Sequence, residues 1–115
     1  MLNYLRVMAD YSSSCLWGED GVMLRLEEVP LSLDATEKLE SWRLWFEKNN
    51  TYLPETDPRY RPFPLEEYAM EGMGVARMIK REMPGWKITY YPEVDIRDEK
   101  GKIWTTGSAH EVDME

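Results

Sequence analysis

The sequence contains one cysteine and one histidine, so Cys15 and His110 form the single possible thiol–imidazole pair. A catalytic cysteine needs a base within hydrogen-bond reach and usually a third group that orients the base. His110 lies in an acidic segment that the sequence predicts to be frayed, and acids near Cys15 would raise rather than lower the pKa of its thiol. We therefore interpret Cys15 as a small, partly buried residue beside Trp17, and predict that the chain is not an enzyme.

Three consecutive serines, residues 12–14, follow the first predicted strand and could hold a nucleophile or bind an anion. No G-x-S-x-G elbow and no glycine-rich phosphate loop surrounds them. Hydrogen bonding to the loop backbone is therefore the favoured role for these serines.

Two acidic groups could hold a metal ion. They are Asp10 with Glu19 and Asp20, and Glu93 with Asp95 and Asp98. The second group lacks the glycine and terminal glutamate spacing of a calcium hand, and the sequence has no His–His or Cys–Cys ligand pair. We interpret both groups as solvated turn acids and predict neither a metal nor another cofactor.

Acidic and aromatic side chains are better suited to binding another protein. Leu16 and Trp17 stand among serines, glycines and acids in a predicted loop, where they either tuck beneath the loop or contact a partner. Buried aromatics and complementary charge dominate protein interfaces. The predicted partner-binding residues are Asp10, Leu16, Trp17, Glu19 and Asp20 after the first strand, and Glu66, Glu67 and Glu71 on the first turns of a long helix.

The charge of the chain restricts the class of partner. The 115 residues carry a net charge of −8, which opposes binding to nucleic acid or to an anionic membrane and favours a basic protein domain. A single cysteine fits a reducing compartment. The sequence shows neither an apolar run of membrane-spanning length nor a signal peptide, so we expect a cytoplasmic location.

The long helix is predicted over residues 64–83. Pro64 suits its first position, acids lie in its first turn and bases in its last, and Pro84-Gly85 stops it. Its buried stripe is predicted at Leu65, Tyr68, Gly72, Val75 or Ala76, Ile79 and Met83. Glycine inside a helix is unfavourable, so we expect Gly72 to face a close neighbour that requires it.

A second helix is predicted over residues 35–49, opened by Ser32 or Asp34 and stopped by Asn49-Asn50. Its buried stripe is Leu39, Trp42, Trp45 or Phe46, and Asn49. Alternating apolar residues predict strands over residues 2–11, 22–29, 86–91, 94–97 and 102–106, the last two joined by a hairpin turn at 98–101.

These elements predict an α+β fold in a single domain, residues 1–115. Two helices pack on one face of a single antiparallel or mixed sheet of three to five strands, which contains residues 3–10, 86–91 and 102–106. Residues 108–115 are predicted to form a frayed acidic tail.

Three stretches of the sequence resemble a known group of proteins. They are RVMADYSSSCLWGEDG, VPLS ahead of a Trp-rich helix, and EGMGVARMIKREMPGWKITYYPE. The group is the small bacterial immunity-type proteins that accompany polymorphic or contact-dependent inhibition toxins, and the similarity covers most of residues 6–93. It implies a cytoplasmic, acidic, non-enzymatic protein that binds and blocks a toxic, often basic, nuclease domain. It transfers no individual binding residue.

The sequence supports three functional hypotheses, of which an immunity-type inhibitor of a basic toxin is favoured. A subunit or adaptor of a bacterial protein complex is the first alternative, and a large exposed apolar patch would support it. A small ligand-binding domain or enzyme is the second, and a closed pocket holding Asp10, the serines and Cys15 would support that.

Overall fold

A computed structural model describes residues 3–10, 13–48 and 53–113. These residues form an α+β fold, as predicted, with helices α1 (Leu33–Glu47) and α2 (Leu65–Glu82). The strands are β1 (Tyr4–Met8), β2 (Leu16–Trp17), β3 (Lys87–Tyr91), β4 (Ile96–Arg97), β5 (Ile103–Trp104) and β6 (His110–Glu111). The predicted helix stop at Asn49-Asn50, Ser12 and the last two residues of the predicted tail lie outside the described residues.

The main sheet is mixed and has the strand order β2-β1-β3-β6. β1 and β3 run parallel, with Leu5 opposite Ile88 and Val7 opposite Tyr90, whereas the outer strands pair antiparallel. Two parallel strands need a long crossover connection, and the segment that carries α1 and α2 supplies it.

The predicted alternation of the first strand is confirmed. Leu5 and Val7 have no exposed surface, while Tyr4 and Arg6 on the opposite side of β1 are half-buried. On that second face the hydroxyls of Tyr4 and Thr89 lie 2.9 Å apart and connect β1 to β3. The apolar face lies beneath α2, so the core forms between the sheet and this helix.

Gly72 lies where α2 packs closely, as predicted. A Cβ atom at this position would lie 2.5 Å from a ring carbon of Trp42 on α1, and would also meet the hydroxyl of Tyr90 on β3. Both rings are fixed by hydrogen bonds to the backbone of α2. The Trp42 Nε1 donates to the Tyr68 carbonyl and the Tyr90 hydroxyl donates to the Ala69 carbonyl, each at 2.9 Å.

The start of α1 is tied to the end of α2. Ser32 is the N-cap of α1 and accepts a hydrogen bond from the Ala35 amide at 3.1 Å, so Ser32 rather than Asp34 opens the helix. The Ser32 amide donates to the Glu82 carboxylate at 2.9 Å. Hydrogen bonds from the Ser32 hydroxyl and amide lower the pKa of Glu82 below its ordinary value. The carboxylate therefore favours the arrangement in which the two helices lie side by side.

The strand predicted over residues 22–29 is wrong. Met23 makes one isolated bridge to Trp17, and Leu26–Glu28 form a turn of 3₁₀ helix. The Arg25 amide donates to the Glu28 carboxylate at 3.2 Å, which closes this turn locally. The edge position beside β1 is occupied instead by β2, which the sequence predicted as loop.

The predicted placement of residues 102–106 in the main sheet is also wrong. β5 pairs with β4 in a separate two-stranded hairpin, whose predicted turn at residues 98–101 is confirmed. The buried carboxylate of Asp98 accepts hydrogen bonds from the Lys102 amide at 3.0 Å and from the Trp104 Nε1 at 3.1 Å. Arg77 of α2 contacts the same carboxylate at 3.1 Å, so the hairpin is held against the helix and not beside β3.

The place beside β3 is taken by β6, in the segment that the sequence predicted to be frayed. His110 pairs with Tyr90, and the Val112 amide donates to the Ile88 carbonyl at 2.8 Å. Val112 is 1% exposed, so one apolar side chain in an otherwise acidic segment anchors it to the core.

Candidate partner-binding site

A groove runs along α2, and two of its three hollows are also lined by α1. It consists of three adjoining hollows that share Glu71, and the largest has a volume of about 880 Å³. Lining residues from α1 are Asp34, Glu37, Lys38, Ser41, Trp42 and Trp45. Lining residues from α2 are Leu65, Glu66, Glu67, Met70, Glu71, Gly74, Val75, Met78 and Arg81. We call this feature the helix groove.

The groove exists because α2 carries a second stripe opposite its buried one. Met70, Gly74 and Met78 are spaced four residues apart and therefore lie along one outer line of the helix. Met70 is 36% exposed, and a Cβ atom on Gly74 would have no neighbour within 4 Å. Methionine is flexible and polarizable, so this stripe can adapt to the shape of a bound side chain.

An aromatic cluster supports the end of the groove near the start of α2. Tyr68 stacks on Trp42 with ring centroids 4.7 Å apart. Trp45 lies edge-on to Tyr68 at 5.4 Å, and Phe63 lies 5.6 Å from Trp45. Such ring pairs add stability beyond the area they bury. These contacts hold α1 and α2 together at this end of the groove.

The groove carries an excess of negative charge. Five acidic residues line it against two basic ones, Lys38 and Arg81. The acids lie around an apolar floor, which is the arrangement expected for a ligand with cationic groups beside apolar ones. Within the described ranges, no three His, Cys, Asp or Glu side chains converge as they would have to around a metal ion.

Three of the predicted partner-binding residues lie in the helix groove. Glu66, Glu67 and Glu71 are all exposed, and each lines one or more of its hollows. Three other lining residues were not among the binding residues predicted from the sequence: Met70, Met78 and Trp45. Their signal was present in the sequence, because Met70 and Met78 fall on the face of the helix opposite the predicted buried stripe.

The other predicted binding residues surround β2 and the turn that follows it. Glu19 and Asp20 are exposed, and the Asp20 carboxylate accepts a hydrogen bond from the Val22 amide at 3.0 Å. Trp17 is half-buried, and its Nε1 donates to the Met8 carbonyl at 3.0 Å. Glu19 and Asp20 are therefore open to a partner, whereas Trp17 is partly used within the fold.

Leu16 has no exposed surface and fills the core. It lies opposite Val7 in the register of β1 and β2, so both side chains point to the same buried face. Asp10 is exposed at the end of β1. Burial and the negative charge of Asp10 both raise the pKa of Glu93, which follows β3. Leu16 therefore has a structural position, and Asp10 remains at the surface.

The two predicted groups lie on different elements, one around β2 and the other on α2. Residues 13–14 and 23–27, on either side of the loop acids, line a shallow hollow with Glu40 and Arg43 of α1. The helix groove is lined by other residues of α1, including Lys38 and Trp45. Neither Glu19 nor Asp20 lines the helix groove or this shallow hollow.

The thiol and the imidazole lie in different environments. Cys15 is fully buried, its backbone has a φ of 64°, and the Ser13 hydroxyl accepts a hydrogen bond from its amide at 3.1 Å. Burial raises the pKa of the Cys15 thiol, although hydrogen bonds to Asp10 and Ser13 oppose the effect. His110 lies in β6 with its Nε2 2.8 Å from the Thr105 carbonyl oxygen.

Comparison with known protein families matches residues 3–93 to a model described as Serratia CdiI immunity protein-like. The chain belongs to this CdiI-like immunity family. The resemblance predicted from the sequence is therefore confirmed. The matched region of this CdiI-like chain contains β1 to β3 and both helices, and so includes the helix groove and the loop acids. The β4–β5 hairpin and β6 lie beyond the match. No curated protein matches the chain. Among the described residues, no helix is both long and apolar enough to cross a membrane.

Proposed function

We propose that this chain is an immunity protein that neutralises a cognate toxin domain by binding it directly in the cytoplasm. Membership of the CdiI-like immunity family is the observation that carries the proposal. An immunity protein protects a cell from a toxin, and a tight stoichiometric complex is the simplest way for a small protein to do so.

The partner is a basic domain. A net charge of −8 on 115 residues attracts a cationic surface over long distances and accelerates association. Nucleases are basic because they bind the phosphate backbone of nucleic acid, so a nuclease domain has the charge that this chain would attract. The acids of the helix groove contact the toxin in this proposal, and Glu19 and Asp20 contribute to the attraction.

Inhibition here proceeds by occupying the toxin surface and not by chemistry on the toxin. The buried Cys15 with its raised pKa is a poor nucleophile, and the His110 ring interacts with Thr105. The groove is lined by carboxylates, methionines and tryptophans, which are suited to binding a protein.

Co-expression with a candidate cognate toxin domain tests the proposal. Induction of the toxin alone should stop growth, and induction together with this chain should restore growth and yield a co-purifying complex. An unrelated acidic protein of similar size and charge is the control for unspecific neutralisation. Growth arrest that persists while the chain is folded and abundant would refute the proposal. A stable complex without restored growth would instead support the adaptor hypothesis.

A further inference from the structure

We propose that the helix groove receives an α-helix of the partner, with apolar side chains on one face and lysines or arginines flanking them. The inference rests on the proposed function, because it specifies which part of a basic toxin domain the immunity protein holds. Three independent features of the groove support it: its walls, its central glycine and its charge.

The walls of the groove favour a helical ligand over an extended one. An extended peptide binds best by adding a strand to a sheet edge, where unpaired backbone groups are available. In the two hollows that Lys38 lines, both walls are helices, α1 and α2, whose backbone groups are already paired within each helix. This two-walled part follows α2 from Met70 to Arg81, about 17 Å at 1.5 Å per residue, which is the length of roughly three helical turns.

Gly74 has no explanation within the described structure. Glycine in the middle of a helix is less favourable than alanine, and the neighbouring Gly72 is required by the rings of Trp42 and Tyr90. Gly74 instead faces open space between Met70 and Met78. The missing side chain leaves a gap in the outer row of α2, and a side chain of a second helix can enter such a gap when two helices pack.

The charges specify what flanks the apolar face of the ligand. Glu67 and Glu71 lie one turn apart on α2, and Asp34 and Glu37 lie on the facing side, on α1. Trp45, Met70 and Met78 line the apolar part between these acids. A helix seated there places apolar residues on the floor and exposes its flanks to carboxylates, so basic flanks bind and acidic flanks are repelled.

A synthetic peptide tests the inference independently of the toxin. The probe is an 18-residue fluorescent peptide of leucine and lysine with leucines spaced three and four apart, and its control is an isomer of scrambled order. The variants are Glu67→Lys with Glu71→Lys in the groove, and Glu19→Lys with Asp20→Lys outside it. Both pairs change the net charge of the chain equally, so they separate the position of the charge from its amount. Circular dichroism confirms that each variant is folded.

We expect the amphipathic peptide to bind the wild-type chain more tightly than its isomer does. The double substitution at Glu67 and Glu71 should weaken peptide binding by about tenfold or more. The double substitution at Glu19 and Asp20 should weaken it by less than about threefold, because charges attract each other mainly at short range in salt. Gly74→Leu should also weaken binding by filling the gap. Gly85→Leu is the matched control, since that glycine also faces open space and lies outside the groove.

Equal weakening by the two charge pairs, or equal binding of the two peptides, would overturn the inference. The toxin assay separates this failure from failure of the proposed function. If the variant with lysines at positions 67 and 71 still neutralises the toxin, and the variant with lysines at positions 19 and 20 does not, then the groove is not the binding site and the immunity function stands. If the wild-type chain fails to neutralise the toxin, the immunity function fails whatever the peptide result.

Discussion

Replacing Gly72 with alanine tests the packing on which the helix groove depends. The added Cβ would lie 2.5 Å from a Trp42 ring carbon and would also meet the Tyr90 hydroxyl. Trp42 is 2% exposed and Tyr90 is fully buried, and each is held by a hydrogen bond, so neither ring can move away easily. Overpacking of a core costs about 1–3 kcal/mol. Loss of the bond from Tyr90 to the Ala69 carbonyl adds about 1 kcal/mol.

Alanine also favours the helix by about 1 kcal/mol relative to glycine. The expected net effect of Gly72→Ala is therefore a loss of about 2 kcal/mol in the free energy of unfolding, or about 8 °C in Tm for a chain of this length. Chemical and thermal denaturation followed by circular dichroism measure both quantities.

Gly74→Ala is the matched control, because it adds the same methyl group to the same helix in open space. It should gain up to about 1 kcal/mol and raise Tm by about 4 °C. We expect changes in stability of opposite sign at two positions that lie two residues apart. If Gly72→Ala were as stable as Gly74→Ala, the close packing of α2 against Trp42 and Tyr90 would be refuted.

Leu16→Ala should destabilise the chain by about 2–5 kcal/mol, because Leu16 is fully buried, and Trp17→Ala should be milder since Trp17 is half-buried. If urea denaturation showed the same loss in the free energy of unfolding for both variants, the assignment of Leu16 to the core and of Trp17 to a partly exposed position would be contradicted. Asp98→Asn should lower Tm at pH 7. Burial alone would raise the pKa of Asp98, but hydrogen bonds and the Arg77 guanidinium lower it below its ordinary value. The ionised Asp98 carboxylate therefore stabilises the folded chain. This stabilisation is fully present above the ordinary pKa of an aspartate, near 4, and is lost as the pH falls through the lowered pKa of Asp98. The Tm difference between wild type and variant should therefore shrink below about pH 4, and a constant difference across pH would refute the role of the charge.

The helices and the two central strands were predictable because their signals are local and repeated. Along α2, Tyr68, Gly72 and Ile79 recur at helical spacing, and in β1 the buried Leu5 and Val7 alternate with partly exposed neighbours. A periodicity of apolar residues that extends over several helical turns or over a whole strand indicates which face is buried. Burial of that face is what stabilises the helix or strand. Even the need for a glycine at position 72 followed from this reasoning.

The short strands were not predictable in the same way. β2, β5 and β6 contain two residues each, too few to show a period. Their positions depend on contacts distant in sequence. The ion pair between Asp98 and Arg77 holds the hairpin that contains β5 against α2. The hydrogen bond from the Val112 amide to the Ile88 carbonyl holds the segment that contains β6 beside β3. The residues predicted as a strand at 22–29 close a local turn instead.

The binding role of the predicted site residues stays a prediction, and the structure shows where each of them lies. Glu67 and Glu71 were expected to bind a partner because of their charge, and they line the helix groove. Glu19 and Asp20 were also predicted to bind the partner, and they do not line the helix groove. Which surfaces adjoin depends on how α1 packs, and no local sequence pattern reports that packing.

Stoichiometric inhibition of the purified toxin domain tests the proposed immunity function most directly. The activity of the toxin domain is measured while the chain is added in increasing molar ratio, at low salt and again at about 1 M salt, where the Debye length is about 3 Å. We expect activity to fall linearly and to vanish near one chain per toxin at low salt, with a slower onset of inhibition at high salt. Full toxin activity at a large molar excess of folded chain would contradict direct neutralisation.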